Sequence, residues 1–274
     1  MKEEEVIALS NLCNFKADNV SPLKQEASGR KYWRVSNTSD SFVLCYLDPS
    51  IGNHLDFIQI TNSLQNNNIN SVNVIYHNDE HGLTLQEDLG DKDLLSILNT
   101  ENKTELIEKS LDLLIQIQNA DIKNIDRFTD NELTDQMYLF KNIFLKNFLN
   151  IEMNSSIDDL ISITMSNLKK HPWLNCHFDY ERRNLILNEH QSITAIDYQD
   201  MKKGPIGIDM AGILIDHYYQ CDDDSIRNSL KYFSNKINHK YSGEELHEFL
   251  TYGCLQRNMR ILGTLTNLYL IHNR

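Results

Sequence analysis

Two regimes of hydrophobic patterning divide the chain, and the change falls near residue 90. Over the first 20 residues Val6, Ile7, Leu9, Leu12 and Phe15 recur at helical spacing and predict a short amphipathic helix. Residues 26–35 and 41–47 read as two strands joined by the polar turn 36–40. A short helix is predicted over 54–65 from Leu55, Phe57, Ile58 and Leu64, and strands over 72–76 and 83–87 around the polar tip 77–82. Beyond Glu87-Asp88-Leu89-Gly90-Asp91 the period becomes helical. Ile107, Leu111 and Leu114 share one face of 105–118; Leu133, Met137, Phe140, Phe144 and Phe148 share one of 132–148; Ile157, Leu160, Ile161 and Leu168 share one of 157–168. Further helices are predicted over 210–219, over 226–237 (Ile226, Leu230, Phe233, Ile237), and from Ser242-Gly243-Glu244-Glu245, a capping-box start. The pattern predicts an α+β chain with a β-rich part, 1–89, and a mainly helical part, 90–274.

The helical part is interrupted at 176–200. Leu185-Ile186-Leu187 and Ile193-Thr194-Ala195-Ile196 flank the turn Asn188-Glu189-His190-Gln191 and read as a β-hairpin. Asn184 enters its first strand and Asp197 leaves its second, which predicts that both reach the same end. Asp179 lies five residues before Asn184, and His177 two before Asp179. A kinase catalytic loop has this spacing, because one carboxylate meets the acceptor hydroxyl while an amide oxygen and a second carboxylate hold Mg²⁺ on the phosphates. Asp and Asn also favour turns for local reasons, but turn capping does not account for the whole His-x-Asp-x₄-Asn spacing with an apolar run ending in Asp. The sequence therefore predicts Asp179 as the catalytic residue and Asn184 and Asp197 as metal ligands. Asp209, after Gly204-Pro205, is placed to cap a helix or brace this loop.

Composition narrows the function. Lys and Arg total 26 against 39 Asp and Glu, a net charge of −13, which argues against a general nucleic-acid binder. The five cysteines are widely spaced without a Cys-x-x-Cys, so neither a disulfide framework nor a zinc site is suggested. The acidic start lacks the basic and apolar regions of a signal peptide, and no apolar run reaches membrane-spanning length, so a cytoplasmic location is expected. His77 and His81 flank a turn, not a helix face, and read as a hairpin tip. The small-residue loop before residue 31 can approach phosphate with the backbone N–H groups of Ser28 and Gly29, with Arg30, Lys31 or Arg34 adding charge. Arg34 is the preferred clamp, since it lies in a strand. The strand 42–47 holds no Lys, where kinases usually place the one that pairs with phosphates.

Several stretches together resemble the aminoglycoside phosphotransferase and choline kinase superfamily, and more closely the bacterial anomeric N-acetylmuramate and N-acetylglucosamine kinases of cell-wall recycling. They are Ala27-Ser28-Gly29-Arg30-Lys31-Tyr32-Trp33-Arg34, Asp88-Leu89-Gly90, His177 to Leu185, Asp197-Tyr198-Gln199-Asp200 with Gly204 to Asp209, and Gln256-Arg257-Asn258-Met259-Arg260-Ile261-Leu262-Gly263. Phe178 stands where the resembled loop carries Arg, and those relatives continue beyond the position of Arg274. The resemblance implies a bilobal protein-kinase-like fold, with a small β-rich N-lobe and a larger helical C-lobe, that uses ATP and Mg²⁺. It implies nucleotide contacts at Glu87 and Leu89 as well as in the basic loop. It also implies a small-molecule acceptor, the anomeric hydroxyl of an amino sugar, met by Arg183, Asp200 and Arg257. Structural ion pairs are the competing reading for the two arginines. An aminoglycoside or small-alcohol kinase is the second enzyme reading, with Asp222, Asp223 and Asp224 as acids for a polycation or simply as helix-start charge. An inactive nucleotide-binding protein is the third reading.

Overall fold

The computed structural model describes residues 1–23, 29–152, 155–215 and 221–272. They form two compact units, Met1–Lys92 with Ile186–Gln199, and Asp93–Leu185 with Asp200–Arg274. The first is built on a five-stranded antiparallel sheet of order β1-β2-β3-β5-β4, from β1 (Asn19–Pro22), β2 (Lys31–Ser36), β3 (Ser41–Tyr46), β4 (Val74–Asn78) and β5 (Leu83–Glu87). Alternation puts Trp33, Val35, Leu44, Leu83 and Leu85 on one face, where they pack with Val6 of α1 (Glu3–Leu12). Tyr32 and Arg34 therefore belong to the other face. The patterned stretch 1–20 is not all helix: Asn14 takes a left-handed φ of 58° and β1 follows. β1 escaped the hydrophobic pattern because it is a largely exposed edge strand ending in Pro22, a position that tolerates proline.

A long excursion in sequence returns to this unit. β7 (Leu185–Leu187) and β8 (Ile193–Ala195) form the predicted hairpin as a two-stranded sheet. Tyr198, just beyond it, stacks on Phe57 of α2 (Leu55–Asn66) at 5.3 Å, and its hydroxyl meets Thr61 Oγ1 at 2.7 Å. The Leu187 N–H donates to the Lys92 carbonyl at 2.9 Å.

The second unit contains α3 (Leu94–Ile97), α4 (Lys103–Asn119), α5 (Asp130–Leu139), α6 (Ser156–Leu168), α7 (Gly207–Leu214), α8 (Asp223–Lys236) and α9 (Gly243–His272), with β6 (Trp173–Cys176) antiparallel to β9 (Lys202–Pro205). The predicted helix 132–148 is α5 continued by a π-helical stretch, Phe140–Phe148, along which Phe140, Phe144 and Phe148 stack. Its core gathers Phe128, Leu133, Met137, Ile161, Leu168, Ile208 and Met259. The predicted capping box starts α9: the Glu245 N–H donates to Ser242 Oγ, and Glu245 accepts from the Ser242 N–H. Residues 216–219 of the helix predicted over 210–219 lie outside the described residues. Among the described residues, no helix is long and apolar enough to cross a membrane.

His171 gives this unit an acid-sensitive point. It is buried, lies 4.6 Å from the Phe249 ring, and has no hydrogen-bond partner on either nitrogen among the described residues. Burial pushes it down from 6.5 to about 4. The unfolded chain then binds the extra proton first, so stability falls as pH drops from about 6.5 to about 4, by roughly 3 kcal/mol in total. His171→Phe is expected to flatten that limb in urea titrations run across this window; an unchanged slope would show that His171 titrates alike in the folded and unfolded states.

Candidate active site

β6 delivers the chain into His177-Phe178-Asp179-Tyr180, and the second unit fixes this loop from several sides. Asp209, fully buried in the first turn of α7, accepts from the backbone N–H groups of His177 at 2.7 Å and Phe178 at 2.8 Å. Asp209 is thus a brace and not a helix cap. Burial raises its pKa, and the nearby His177 and the two N–H donors only partly offset that. Tyr180 is fully buried, and its hydroxyl donates to the Ser110 carbonyl of α4 at 2.6 Å. Gly212 of α7 lies directly under the loop, where a Cβ would fall 2.2 Å from the Tyr180 carbonyl oxygen. A 3₁₀ turn, Arg182–Asn184, closes the segment, and Asn184 Nδ2 donates to the Asp179 carbonyl at 2.9 Å.

At the centre is Asp179, which is half-buried and whose Oδ1 accepts from Arg260 Nη2 of α9 at 2.8 Å. The same nitrogen donates to the Phe178 carbonyl at 2.9 Å. Burial alone would raise the Asp179 pKa; the charge and hydrogen bond of Arg260, with His177 and Arg257 behind them, outweigh it and leave the carboxyl below its usual range. Asp179 is therefore an anion at neutral pH.

In the first unit, Asp197 adopts a left-handed φ of 63°, which Asp tolerates better than most residues, and its Oδ1 accepts from Gln199 Nε2 at 2.8 Å. Arg30 is half-buried, next to Gly29 at φ 78°. Tyr32 is pushed well above its usual range by burial, then by Cys45 and Asp197, while Arg30 acts in the opposite sense. Arg30 and Asp197 thus act on one point of this unit.

Arg34 does not have the freedom expected of a phosphate clamp. Its Nε and Nη2 form a two-point pair with Asp88 at 2.7 and 3.0 Å, and Nη2 also meets Asp91 at 2.8 Å. The side chain is held on its strand, but by acids just beyond the end of β5. Arg183 and Arg257 are likewise both bound to Glu181, Arg257 at 2.5 Å and only 1% exposed. A core ion pair is the reading that fits Arg257, and no substrate contact is assigned to it. Asp200 is exposed just before β9, Lys31 begins β2, and Glu87 and Leu89 are half-buried at and beyond the end of β5. Ser28 lies outside the described residues. Asp222 N-caps α8 by accepting from the Ser225 N–H and also pairs with Lys103.

Arg260 and Gln199 were not singled out from sequence, although both lie in stretches quoted for the resemblance. Periodicity could not flag them, since a polar residue on a long helix or after a strand is unremarkable until its partner is known.

Residues 19–232 match the model of the phosphotransferase enzyme family (APH), and the chain belongs to that family. Among curated proteins, it is 24% identical over 208 residues to an N-acetylmuramate/N-acetylglucosamine kinase of Pseudomonas putida, covering 74% of this chain and 61% of that protein's length. It is 22% identical over 265 residues to the enzyme of the same name from Neisseria meningitidis serogroup B, covering 89% and 77% of the two chains. Among solved structures, a spectinomycin phosphotransferase in complex with ADP and spectinomycin matches with a TM-score of 0.74 at 14% identity, covering 100% of this chain and 90% of that one. A choline kinase of Streptococcus pneumoniae matches at 0.67 and 13% identity, covering 96% and 91%. These structural likenesses establish the kinase-like fold with its β-rich and helical parts.

Proposed function

We propose that this protein transfers the γ-phosphoryl group of ATP to the anomeric hydroxyl of N-acetylmuramate or N-acetylglucosamine. The observation that carries phosphotransfer is the loop around Asp179: an ionised carboxylate with one oxygen engaged by Arg260, on a backbone pinned by Asp209 and Asn184. Asp179 takes the acceptor's hydroxyl proton through its other oxygen as that hydroxyl bonds to the γ-phosphorus and the bond to ADP breaks; the proton then passes to solvent. An anomeric hydroxyl is more acidic than an ordinary alcohol and asks less of a carboxylate held as its anion.

Asn184 and Asp197 suit Mg²⁺ by the chemistry of their donors. Asn184 Nδ2 donates to the Asp179 carbonyl, and among the described residues the hydrogen bond to the Asp197 carboxylate comes from Gln199 Nε2 at Oδ1, which leaves oxygen donors on both side chains. Hard oxygen donors few in number are what Mg²⁺ takes when phosphates and water complete its shell. When bound, the ion supplies charge neutralisation on the transferring phosphates.

The acceptor class rests on the two curated relatives. Asp222, one of the acids considered for a polycation, is engaged in helix capping and in a pair with Lys103. The test measures ADP release with Mg-ATP and N-acetylmuramate, N-acetylglucosamine, kanamycin or choline. Turnover with either sugar supports the reading, and turnover with kanamycin alone overturns it.

With Arg34 committed to Asp88 and Asp91, phosphate charge in the first unit falls to Arg30. Arg30→Ala is expected to lower kcat/KM by about 10²–10³-fold. Arg34→Ala is expected to act mainly on stability, by roughly 1–3 kcal/mol through the unpaired Asp88, and Lys31→Ala to do little. Kinetics and thermal unfolding of the three variants, measured side by side, decide; a catalytic loss confined to Arg34→Ala would restore the strand arginine as the clamp.

A further inference from the structure

We infer that Arg260 is a positioning residue for Asp179 and that Phe178 is the platform that holds it; the inference rests on the catalytic role proposed for Asp179. Three contacts converge on one guanidinium. Its Nη2 reaches both the Phe178 carbonyl and Asp179 Oδ1, and its central carbon lies 4.1 Å from the centroid of the Phe178 ring. That distance is well inside the range of a cation–π interaction, which is stronger where water is excluded, and the Arg260 side chain is only 14% exposed.

The platform is itself held in place. Phe178 is buried at φ 75°, a left-handed conformation that costs a bulky aromatic residue about 1–3 kcal/mol and persists only where the surroundings impose it. Asp209 imposes it by holding the two consecutive N–H groups, and the Phe128 ring packs against the Phe178 ring with centroids 4.4 Å apart. This backbone turn directs the Phe178 ring and the Asp179 carboxylate to the same guanidinium. The ring comes from the loop and the cation from α9.

α9 is locked on both sides of Arg260. A Cβ on Gly253 would lie 2.1 Å from the Gly207 carbonyl of α7, and a Cβ on Gly263 would lie 2.6 Å from the Leu139 backbone at the end of α5. The backbones approach closely at both points, so the stretch of α9 that carries Arg260 is seated against α7 on one side of it and the end of α5 on the other. With Oδ1 engaged, Oδ2 is the oxygen turned to the acceptor. Fixing which oxygen meets the hydroxyl is orientation catalysis, for which a displacement of about 1 Å can cost about 100-fold in rate.

The test compares Arg260→Met, Arg260→Lys, Asp179→Asn and the Asp179→Asn/Arg260→Met double variant with the unaltered chain, using Mg-ATP and N-acetylmuramate. Thermal unfolding accompanies the kinetics. Arg260→Met keeps chain length and apolar contact with the Phe178 ring, and is expected to lower kcat by about 10- to 100-fold with KM for ATP unchanged within about twofold. Arg260→Lys, which returns the charge without the planar fork, is expected to recover part of that loss. The double variant is expected to be no slower than Asp179→Asn alone, because Arg260 acts through Asp179. Should Arg260→Met fail to fold, Arg260→Lys carries the test, with a kcat below that of the unaltered chain at unchanged KM for ATP. Full kcat in the folded Arg260 variants beside a crippled Asp179→Asn overturns the positioning role alone. Full activity in Asp179→Asn, or no turnover by the unaltered chain with either N-acetylmuramate or N-acetylglucosamine, overturns the catalytic reading beneath it.

Discussion

Asp179→Asn should lower kcat by about 10²–10⁴-fold, the usual loss when a general base is removed, while leaving the fold and the affinity for Mg-ATP in place. The substitution is nearly isosteric, and the amide oxygen can still accept from Arg260 as Oδ1 does at 2.8 Å. The loop backbone is held independently of this side chain, by Asp209 on the N–H groups of His177 and Phe178 and by Asn184 on the Asp179 carbonyl. What disappears is the proton acceptor. Turnover at the unaltered rate would remove Asp179 from the chemistry, whereas loss of nucleotide binding in step with activity would make its role structural.

Arg257→Met should destabilise the chain by about 3–5 kcal/mol, the typical consequence of breaking a buried ion pair. Glu181 is almost fully buried and meets Arg257 on one oxygen and Arg183 on the other. Removing Arg257 leaves a carboxylate out of water with one cation, and Arg183 is the more exposed of the two. A second change, Glu181→Leu, should recover part of the loss, because replacing both charged partners costs less than orphaning one. Urea unfolding of the single and double variants checks this. Unchanged stability together with a raised KM for N-acetylmuramate would instead return Arg257 to the acceptor.

How far the chain could be read in advance depended on whether the deciding interaction was local. The α5, α6 and α8 stripes, the β2–β3 pair and the hairpin at 185–196 follow from side-chain period alone, and the capping box at Ser242 from chemistry within four residues. β1 escaped because an exposed edge strand has no apolar alternation to display. The π-helical turn at Phe140–Phe148 escaped because its aromatic spacing fits an α-helix equally well. At the site, the Asp179–Asn184 spacing is readable because both lie on one short loop, and Asp209 because it opens a helix after Gly204-Pro205. The fates of Arg34, Arg257 and Arg260 depended on partners 54, 76 and 81 residues away. Three arginines of like appearance in sequence became a strand-end brace, a core ion pair and a grip on the loop aspartate, and only the fold distinguishes them.

The central claim is phosphoryl transfer to an anomeric oxygen, and the product's phosphorus NMR spectrum tests it most directly. Incubating the purified chain with Mg-ATP and N-acetylmuramate should give ADP and a phosphomonoester whose phosphorus couples to the anomeric proton. A phosphomonoester at any other hydroxyl of the sugar, or hydrolysis to inorganic phosphate without a sugar product, would contradict it.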